Sequence, residues 1–371
     1  MGNKVLMKGN EAVAEAAIRA GCRLYFAYPI TPQNELVEYM SKMMPKVKGT
    51  FIQAESEVAA ANMVYGSAGC GKRVLTSSSS PGISLKMEAV SYMAGAELPA
   101  VIVNVQRGGP GLGDIQPAQG DYFQATKGGG HGDYRTIVLA PSTVQEFADM
   151  ASEAFDLADK YRTPVIILAD GMLAQMMEPV EFKPHKTKEE MEALDRQHFS
   201  WCVHTNVEGP DRHHNEINSL EIDPKVHEKH VLKLEQKFNT IIKNETRCEE
   251  YNINPDNEMI CVAFGTAARI VKSAIDELNQ EGRNIGLIRP ITVWPYPYDC
   301  IQKAVGAKVK NVNVFELNLG QMVEDVKLAV CGKVPVNFMG KVGGIIFTPA
   351  EVLENIKKYL HVYGTDTVVS K

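Results

Sequence analysis

The feature that most constrains the fold is the regular alternation of short apolar runs with helical patterns over the first 170 residues. Such alternation is typical of βαβ units and predicts an α/β fold with a parallel sheet. Ser142 followed by Gln145 predicts a capping box for a helix that runs to about Lys160. Strands are predicted at residues 22–28, 50–54, 73–78, 100–105, 136–140 and 164–170.

The pattern changes after about residue 179 and resumes near residue 258. Between these points charge rises, no strand is predicted, and residues 226–251 have the spacing of one amphipathic helix. Further strands are predicted at 259–264, 284–290 and 312–317, with a helix closed by glycine after the first. We therefore expect three parts: a domain over 1–178, a charged helical connector over 179–257, and a smaller α/β domain over 258–371.

Composition excludes several classes of function. With 371 residues, a net charge of -6 and a pI near 5.9, the chain offers no electrostatic reason to bind nucleic acid or an anionic membrane. Its N-terminus lacks the pattern of a signal peptide, and no apolar run approaches the ~18 residues that a membrane span needs. These observations favour a cytoplasmic protein.

The seven cysteines are dispersed and never form C-x-x-C. This pattern predicts reduced thiols and argues against an iron–sulfur cluster or structural zinc site within the chain. Four histidines, at positions 213, 214, 227 and 230, cluster in the connector, but mixed spacing without carboxylate support favours solvated side chains over a metal site. No metal ligand is therefore predicted, and the role of the segment 204–230 stays open.

Polar residues follow several predicted strands, at the edge where open α/β sheets bind ligands. In QAESEVAAANMVYG, Glu55 and Glu57 stand at a helix start, where acids complement the helix dipole or where one of them is an active-site carboxylate. Thr31 in YPITPQ is either a helix cap or part of an anion site. Arg107 in VNVQRGGP is either a surface arginine or a clamp for a substrate carboxylate.

Three further segments are similar to known binding or catalytic motifs, but each lacks a feature that the motif requires. GSAGCGKR, residues 66–73, has P-loop spacing, but it follows a helix, precedes a strand and ends in arginine instead of Ser or Thr. SSSSPG, residues 77–82, places hydroxyls at a strand end, where they can line a polar pocket, but lacks the G-x-S-x-G of a hydrolase. RGGPGLGD does not satisfy G-x-G-x-x-G, so dinucleotide binding has little support.

The chain resembles the α subunit of the 2-oxoacid:ferredoxin oxidoreductases, thiamine-diphosphate enzymes that oxidatively decarboxylate 2-oxoacids to acyl-CoA. The resemblance runs through KGNEAVAEAAIRAGC, YPITPQ, QAESEVAAANMVYG, SSSSPGISLKMEAVSYM, KGGGHGDYR, VAFGTAARI, LIRPITVWPYP and FELNLGQM. It implies a thiamine-diphosphate pyrimidine-binding domain followed by a transketolase-C-terminal-like domain.

The glycine-rich segment after Arg107 is most similar to the branched-chain type, which acts on 3-methyl-2-oxobutanoate (2-oxoisovalerate). The 2-oxoglutarate type is the alternative. Residues 108–126 contain no basic side chain, so this loop supplies no partner for a second substrate carboxylate. That absence agrees with the branched-chain type.

The resemblance also implies roles for individual residues. Glu57, not Glu55, matches the catalytic glutamate on the aminopyrimidine ring of the cofactor. A carboxylate there favours the imino tautomer, which takes the proton from the thiazolium. Thr31 and Arg107 match the residues that bind the substrate carboxylate. Ile30 and Ser79 match further cofactor-binding positions.

The chain lacks the G-D-G with which thiamine enzymes anchor Mg²⁺ and the diphosphate. The resemblance therefore implies that a β subunit holds Mg²⁺ and the diphosphate, while this chain holds the pyrimidine half. It further implies a γ subunit, a ferredoxin-like δ subunit with the iron–sulfur clusters, CoA as co-substrate, ferredoxin as electron acceptor, and a dimer of heteromers. The chain alone should be inactive.

Two alternatives stay open at this point. One is a subunit of a transketolase-like or pyruvate-dehydrogenase-like thiamine enzyme. The other is a non-catalytic scaffold paralogue, against which the joint presence of Thr31, Glu57 and Arg107 argues.

Overall fold

The computed structural model describes residues 4–203 and 215–364, and within them no helix is both long and apolar enough to cross a membrane. The strands are β1 (Val5–Lys8), β2 (Leu24–Ala27), β3 (Thr50–Gln53), β4 (Val74–Ser78), β5 (Ala100–Gln106), β6 (Ile137–Leu139), β7 (Pro164–Asp170), β8 (Met177–Val180), β9 (Cys248–Tyr251), β10 (Met259–Ala263), β11 (Ile285–Pro290), β12 (Thr292–Trp294), β13 (Asn311–Glu316) and β14 (Val336–Gly340). The helices are α1 (Gly9–Arg19), α2 (Asn34–Met43), α3 (Glu57–Gly69), α4 (Ser80–Gly95), α5 (Tyr122–Lys127), α6 (Val144–Tyr161), α7 (Gly171–Gln175), α8 (Lys188–His198), α9 (Pro224–Glu245), α10 (Gly265–Gln280), α11 (Tyr298–Ala304), α12 (Met322–Val330) and α13 (Pro349–Gly364).

The first sheet has seven strands in the order β12-β6-β7-β5-β4-β2-β3. Its pairs are parallel except for the antiparallel edge pair of β12 and β6. Every residue of β5 and β7 is buried, as expected for central parallel strands covered on both faces. The six strands predicted between residues 22 and 170 are all present as β2 to β7, with slightly different ends.

Helices cover both faces of this sheet. On β5, Val101 and Val103 belong to one core, which α1 and α6 complete, whereas Ile102 belongs to a second core with residues of α3 and α4. Successive strand residues point to opposite faces, so the two cores lie on opposite sides of the sheet. The carboxyl ends of its strands are left open at one edge, where the loops collect.

The second sheet has five strands in the order β14-β13-β10-β11-β9. Strands β10, β11 and β13 correspond to the three predicted in this region, and α10 begins two residues after β10. Strand β12, from the same part of the chain, pairs with β6 in the first sheet. The predicted boundaries at residues 178 and 258 stay predictions.

Buried polar contacts join the two sheets. The Asp325 carboxylate of α12 accepts hydrogen bonds from the Tyr122 hydroxyl at 2.6 Å and from the Tyr298 hydroxyl at 2.5 Å. Lys127 Nζ pairs with the same carboxylate at 2.5 Å. The Tyr122 ring also packs on Phe264, with ring centroids 5.7 Å apart. The glycine-rich segment that ends in α5 is therefore fixed against the second sheet.

The connector differs from its prediction at both ends. The helix ends at Glu245 and not at Tyr251, because residues Cys248–Tyr251 form β9 and pair antiparallel with β11. At the other end Met177–Val180 forms β8, which pairs antiparallel with β1. Both strands have only four residues, MEPV and CEEY, and neither shows the strict alternation of apolar and polar residues that marks a half-buried strand.

The cap of α6 lies one residue later than predicted. Thr143, not Ser142, is the N-cap, and its side chain accepts a hydrogen bond from the Glu146 amide at 3.1 Å. Ser142 donates instead, through its amide at 2.8 Å and its hydroxyl at 2.9 Å, to the Glu146 carboxylate. Two adjacent good N-cap residues made the start ambiguous by one position.

The prediction that all thiols are reduced is wrong for two cysteines. Cys248 of β9 and Cys300 of α11 form a disulfide, with Cα atoms 6.8 Å apart. They are 52 residues apart in sequence, and only the fold brings them within bonding reach. Within residues 4–203 and 215–364, the one group of ligand atoms close enough for a metal is these two sulfurs with the Glu250 carboxylate.

Candidate active site

Four predicted site residues follow four neighbouring strands of the first sheet. Thr31 comes after β2, Glu57 after β3, Ser79 after β4 and Arg107 after β5. Because these strands are parallel, their carboxyl ends meet at one edge of the sheet. The fold thus places these four positions along the same edge.

Glu57 and Glu55 have different environments at the start of α3. Ser56 is the N-cap, and its hydroxyl accepts a hydrogen bond from the Ala59 amide at 3.2 Å. Glu55 is exposed, whereas Glu57 is the first residue of the helix and only 7% exposed. None of the described residues donates a hydrogen bond to the Glu57 carboxylate. The helix N-terminus is the favourable field for its negative charge.

Gly82 of α4 packs directly against this carboxylate. A Cβ atom added at Gly82 would lie 2.6 Å from Glu57 Oε1 and also too close to Ser78 Oγ. Within the described part of the chain, the buried Oγ atoms of Ser78 and Ser79 have no hydrogen-bond partner. A buried hydroxyl without a partner is costly, so these groups are suited to a polar ligand.

The turn between β4 and α4 is held by a polar network. Ser80 has a positive φ of 22°, a strained backbone angle for a residue other than glycine. Its amide donates to Asn104 Oδ1 at 3.2 Å, and its hydroxyl donates to Asp121 Oδ2 at 2.6 Å and accepts from the Arg107 amide at 3.0 Å. Burial raises the pKa of the Asp121 carboxyl, although the hydrogen bonds from Ser80 and Asn104 oppose this. The network couples the Ser79 turn to the backbone of Arg107.

The structure brings Arg107 and Thr31 together. The buried guanidinium donates through Nη1 to the Thr31 carbonyl at 2.9 Å and through Nη2 to the Leu112 carbonyl at 3.2 Å. Its Nε is also buried and lacks a partner among the described residues. Two backbone carbonyls therefore orient the guanidinium, and a donor remains free for an anion.

Ile30 is half-buried between β2 and Thr31. Its carbonyl accepts a hydrogen bond from the Gln33 amide at 3.1 Å. The Gln33 side chain in turn accepts from Ser77 Oγ at 2.5 Å. These contacts fix the backbone on which Ile30 and Thr31 lie, but they do not test whether Ile30 binds a cofactor.

A cavity of about 570 Å³ opens beside Thr31. Its apolar side chains come from Pro32, from the glycine-rich loop and from α7 with the residue that follows it, and none of the described residues that line it is charged. Side chains on its wall include Thr31, Ile115, Gln116, Met172, Gln175 and Met176.

The second sheet reaches this edge through Gln119. Its Nε2 donates to the Phe264 carbonyl at 2.9 Å, and its Oε1 accepts from the Leu317 amide at 3.1 Å. The Asn318 side chain donates to the Gln119 carbonyl at 2.8 Å. The loop that follows Arg107 is thus fixed at its far end by the second domain.

Comparison with known proteins identifies the family to which this chain belongs. Residues 15–243 match the family described as pyruvate flavodoxin/ferredoxin oxidoreductase, thiamine diphosphate-binding. The chain belongs to the 2-oxoacid:ferredoxin oxidoreductase family. Residues 257–352 match its second component, pyruvate:ferredoxin oxidoreductase core domain II. The predicted family, the fold class and the enzyme-subunit assignment are confirmed.

Relatives within the family carry specific names. The chain is 47% identical over 353 residues to the ketoisovalerate oxidoreductase subunit VorB of Methanothermobacter thermautotrophicus, covering 95% of this chain and 97% of that protein. It is 37% identical over 363 residues to the 2-oxoglutarate synthase subunit KorA of Methanocaldococcus jannaschii, covering 93% and 97%.

A solved structure in the family also matches. It is the 2-oxoglutarate:ferredoxin oxidoreductase from Magnetococcus marinus with 2-oxoglutarate, coenzyme A and succinyl-CoA bound, at a TM-score of 0.79 and 28% identity over 96% of this chain. The present chain spans 65% of the length of that chain.

Several residues of this candidate site were not given an individual role from the sequence, although Ser80 and Gly82 belong to the SSSSPG motif. Ser80, Asn104 and Asp121 form the network behind Arg107, and Gly82 packs against Glu57. The sequence could have indicated Asn104 as a site residue, because it is a polar residue inside the apolar run AVIVNVQ. The role of Gly82 depends on a contact between two helices, and no local sequence pattern indicates such a contact.

The P-loop-like segment, residues 66–73, has a structural role. In the P-loop-like segment, Lys72 pairs with Asp195 at 2.7 Å, and Arg73 is buried against Asp156 and Asp159 at 2.5 and 2.8 Å. These contacts agree with the rejection of a P-loop, because both cations are already engaged.

Of the four clustered histidines, His227 and His230 are among the described residues and the other two are not. His213 and His214 lie outside the described residues. His230 Nε2 lies 2.7 Å from the Gly95 carbonyl, so this side chain packs on the first domain of its own chain and is not simply solvated.

Proposed function

We propose that this chain is the α subunit of a complex that oxidises 3-methyl-2-oxobutanoate to an acyl-CoA and CO₂, and that it supplies the pyrimidine-binding half of a thiamine-diphosphate site. The observation that carries the proposal is Glu57, a residue only 7% exposed at the carboxyl edge of the first sheet, to whose carboxylate no described residue donates a hydrogen bond. Buried carboxylates require a donor. A protonated ring nitrogen of an aminopyrimidine would supply it.

The surrounding groups fit the same ring. The partnerless Ser78 and Ser79 hydroxyls can bond its polar atoms, and the absence of a Cβ at Gly82 leaves the Glu57 carboxylate unobstructed. When bound, thiamine diphosphate supplies a carbon nucleophile and an electron sink. Glu57 would hold the proton of the shared hydrogen bond at the ring nitrogen and thereby favour the imino tautomer.

Arg107 and Thr31 would bind the carboxylate of the 2-oxoacid. The Arg107 guanidinium is oriented by two carbonyl acceptors and keeps a buried, partnerless Nε–H. Charge-assisted hydrogen bonds from arginine suit a carboxylate. The Thr31 hydroxyl, which accepts a bond from Asn34 at 3.3 Å, can donate its own proton to the same anion.

The cavity beside Thr31 supports a substrate with an apolar side chain. Ile115, Met172 and Met176 contribute to its wall, and none of the described residues that line it is a cation that could bind the distal carboxylate of 2-oxoglutarate. The name ketoisovalerate oxidoreductase, carried by the 47% identical relative, agrees with this choice. The alternative substrate, 2-oxoglutarate, appears in the names of more distant relatives.

Exposed apolar side chains beside the site support a partner subunit. Leu112 and Leu319 are 82% and 85% exposed, and Ile115 and Ile345 are also exposed. The loop containing Ile345 contacts the glycine-rich loop, since Gly344 packs on the side chain of Gln116. Such a patch is expected to be covered. We assign it to a β subunit that holds Mg²⁺ and the diphosphate.

The complete complex would also contain a γ subunit and a ferredoxin-like δ subunit with the iron–sulfur clusters, assembled as a dimer of heteromers in the cytoplasm. The overall reaction then balances. One 2-oxoacid, one CoA and two oxidised ferredoxins give one acyl-CoA, one CO₂, two reduced ferredoxins and one proton, with CoA accepting the acyl group.

A pair of matched variants tests the proposal. In the co-expressed complex, Glu57→Gln should lower kcat by about 10²- to 10⁴-fold, the range expected for loss of a general acid or base. Glu55→Gln is the control, because Glu55 is exposed at the same helix start. Equal activity of the two variants would contradict the assignment of Glu57.

A further inference from the structure

Helix α4 carries a lysine that the proposed reaction does not use. Lys86 is completely buried, with 0% of the residue exposed. Most of its neighbours in the segment ISLKMEAV are apolar or small. A buried ammonium group is strongly disfavoured unless an opposite charge compensates it. Its presence therefore requires a counter-charge nearby.

The helix geometry places Lys86 on the face of α4 that contacts Glu57. Lys86 lies one turn beyond Gly82 on the same face of α4, and at Gly82 that face contacts Glu57 and Ser78. One turn on, Lys86 Nζ donates to Thr76 Oγ1 at 3.0 Å. Thr76 precedes Ser78 by two residues on β4, so both side chains point to the same face of the sheet.

The electrostatics link the same two charged groups. Burial lowers the pKa of Lys86 to about 8, and the field of the Glu57 carboxylate opposes this fall. Glu57 also lies at the N-terminus of α3, where the helix dipole favours an anion. Two sources of positive potential thus converge on a carboxylate that has no hydrogen-bond donor within the described part of the chain.

We infer that Lys86 is a positioning residue whose buried charge compensates and orients the Glu57 carboxylate. The inference rests on the proposed function, in which Glu57 meets the ring nitrogen of the aminopyrimidine. A nearby cation favours the carboxylate, so the proton shared between Glu57 and the ring resides on the ring nitrogen. That state favours the imino tautomer. Lys86 thus acts on the cofactor through Glu57, without contact to the ring.

The test is a double-mutant cycle of Lys86→Met and Glu57→Gln in the co-expressed complex, since methionine is apolar and close in length to lysine. With Glu57 present, Lys86→Met should lower kcat about tenfold, a fold-change within the usual range of coupling between neighbouring residues of one site. The KM for the 2-oxoacid should change by less than about twofold. With Gln at position 57, Lys86→Met should lower kcat no further. The near-ultraviolet circular dichroism of the bound imino tautomer should weaken together with kcat.

Thermal unfolding of the cofactor-free complex gives a second readout. Lys86→Met should lower the Tm when Glu57 is present, because the substitution leaves that buried carboxylate without its counter-charge. In the Glu57→Gln background it should raise the Tm, because it removes an uncompensated buried cation. Val90→Ala, one turn further along the same face of α4, is the matched control and should lower the Tm equally in both backgrounds.

Equal effects of Lys86→Met in the two backgrounds would overturn the inference and leave Lys86 a packing residue. If the single variant fails to assemble, the double variant decides, because the inference requires it to assemble. A wild-type complex without thiamine-dependent activity would instead contradict the proposed function. The Tm cycle would still show whether Lys86 and Glu57 are coupled.

Discussion

Replacement of Gly82 by alanine tests how closely the helix α4 must approach Glu57. The added Cβ would lie 2.6 Å from Glu57 Oε1, about 0.8 Å inside an ordinary contact, and would also clash with Ser78 Oγ. The Ser78 hydroxyl can rotate away, but the buried Glu57 carboxylate must shift. A displacement near 1 Å costs about 10²-fold in a positioned catalytic group. We therefore expect kcat of the complex to fall by about 30-fold or more.

The effect of Gly82→Ala on stability should be small by comparison. Overpacking costs about 1–3 kcal/mol, and replacing a helical glycine by alanine returns about 0.5–1 kcal/mol. A net loss of about 1 kcal/mol is expected in urea or thermal unfolding. Gly66→Ala in α3 is the matched control, because no described atom outside the local backbone and neighbouring residues of α3 lies within 4 Å of its added Cβ. It should raise stability and leave activity intact, and equal activity of the two variants would refute the reasoning.

Three further outcomes follow from the contacts. Arg107→Lys removes the planar guanidinium group with its two hydrogen bonds, so kcat/KM for the 2-oxoacid should fall about 30-fold with the Tm little changed. An unchanged kcat/KM in initial-rate assays would contradict the substrate-binding role. Burial raises the pKa of the Glu97 carboxyl, but hydrogen bonds from Lys233 and Lys237 outweigh burial and lower it from 4.5 to about 2. Relative to Glu97→Gln, Glu97 should add about 2 kcal/mol to the free energy of unfolding. This contribution should be fully present above pH 4.5 and vanish as the pH falls to 2. A difference between the two proteins that is independent of pH in urea titrations would refute this. Asp325→Asn should cost about 2 kcal/mol in thermal unfolding, and a change below about 0.5 kcal/mol would show that these contacts contribute little.

Much of the fold could be predicted because its central strands are local features. The runs at β5 and β7 are continuously apolar, and their parallel pairing follows from the helices between them. The same logic predicted where a candidate site would lie, since Thr31 and Arg107 each follow a strand and parallel strands end at one edge. The choice of Glu57 over Glu55 depended on the family resemblance, and the burial of Glu57 agrees with it.

The features that the sequence did not reveal depend on contacts between distant segments. Strand β9 exists because its residues pair with β11, and the disulfide forms because Cys248 and Cys300 meet only in the folded chain. Lys86 was visible as a charge in an apolar helix, but its counter-charge, Glu57, lies on a different helix. Local patterns identify elements, whereas these pairings require the tertiary structure.

The measurement that tests the central claim most directly is CoA-dependent viologen reduction by the complex purified after co-expression with the neighbouring reading frames. It should be assayed with 3-methyl-2-oxobutanoate, 2-oxoglutarate and pyruvate, with and without added thiamine diphosphate. The proposed function predicts thiamine-dependent reduction that is fastest with 3-methyl-2-oxobutanoate. Faster reduction with 2-oxoglutarate would contradict the role of the uncharged cavity beside Thr31. No reduction by a complex shown to contain thiamine diphosphate and iron would contradict the proposed function.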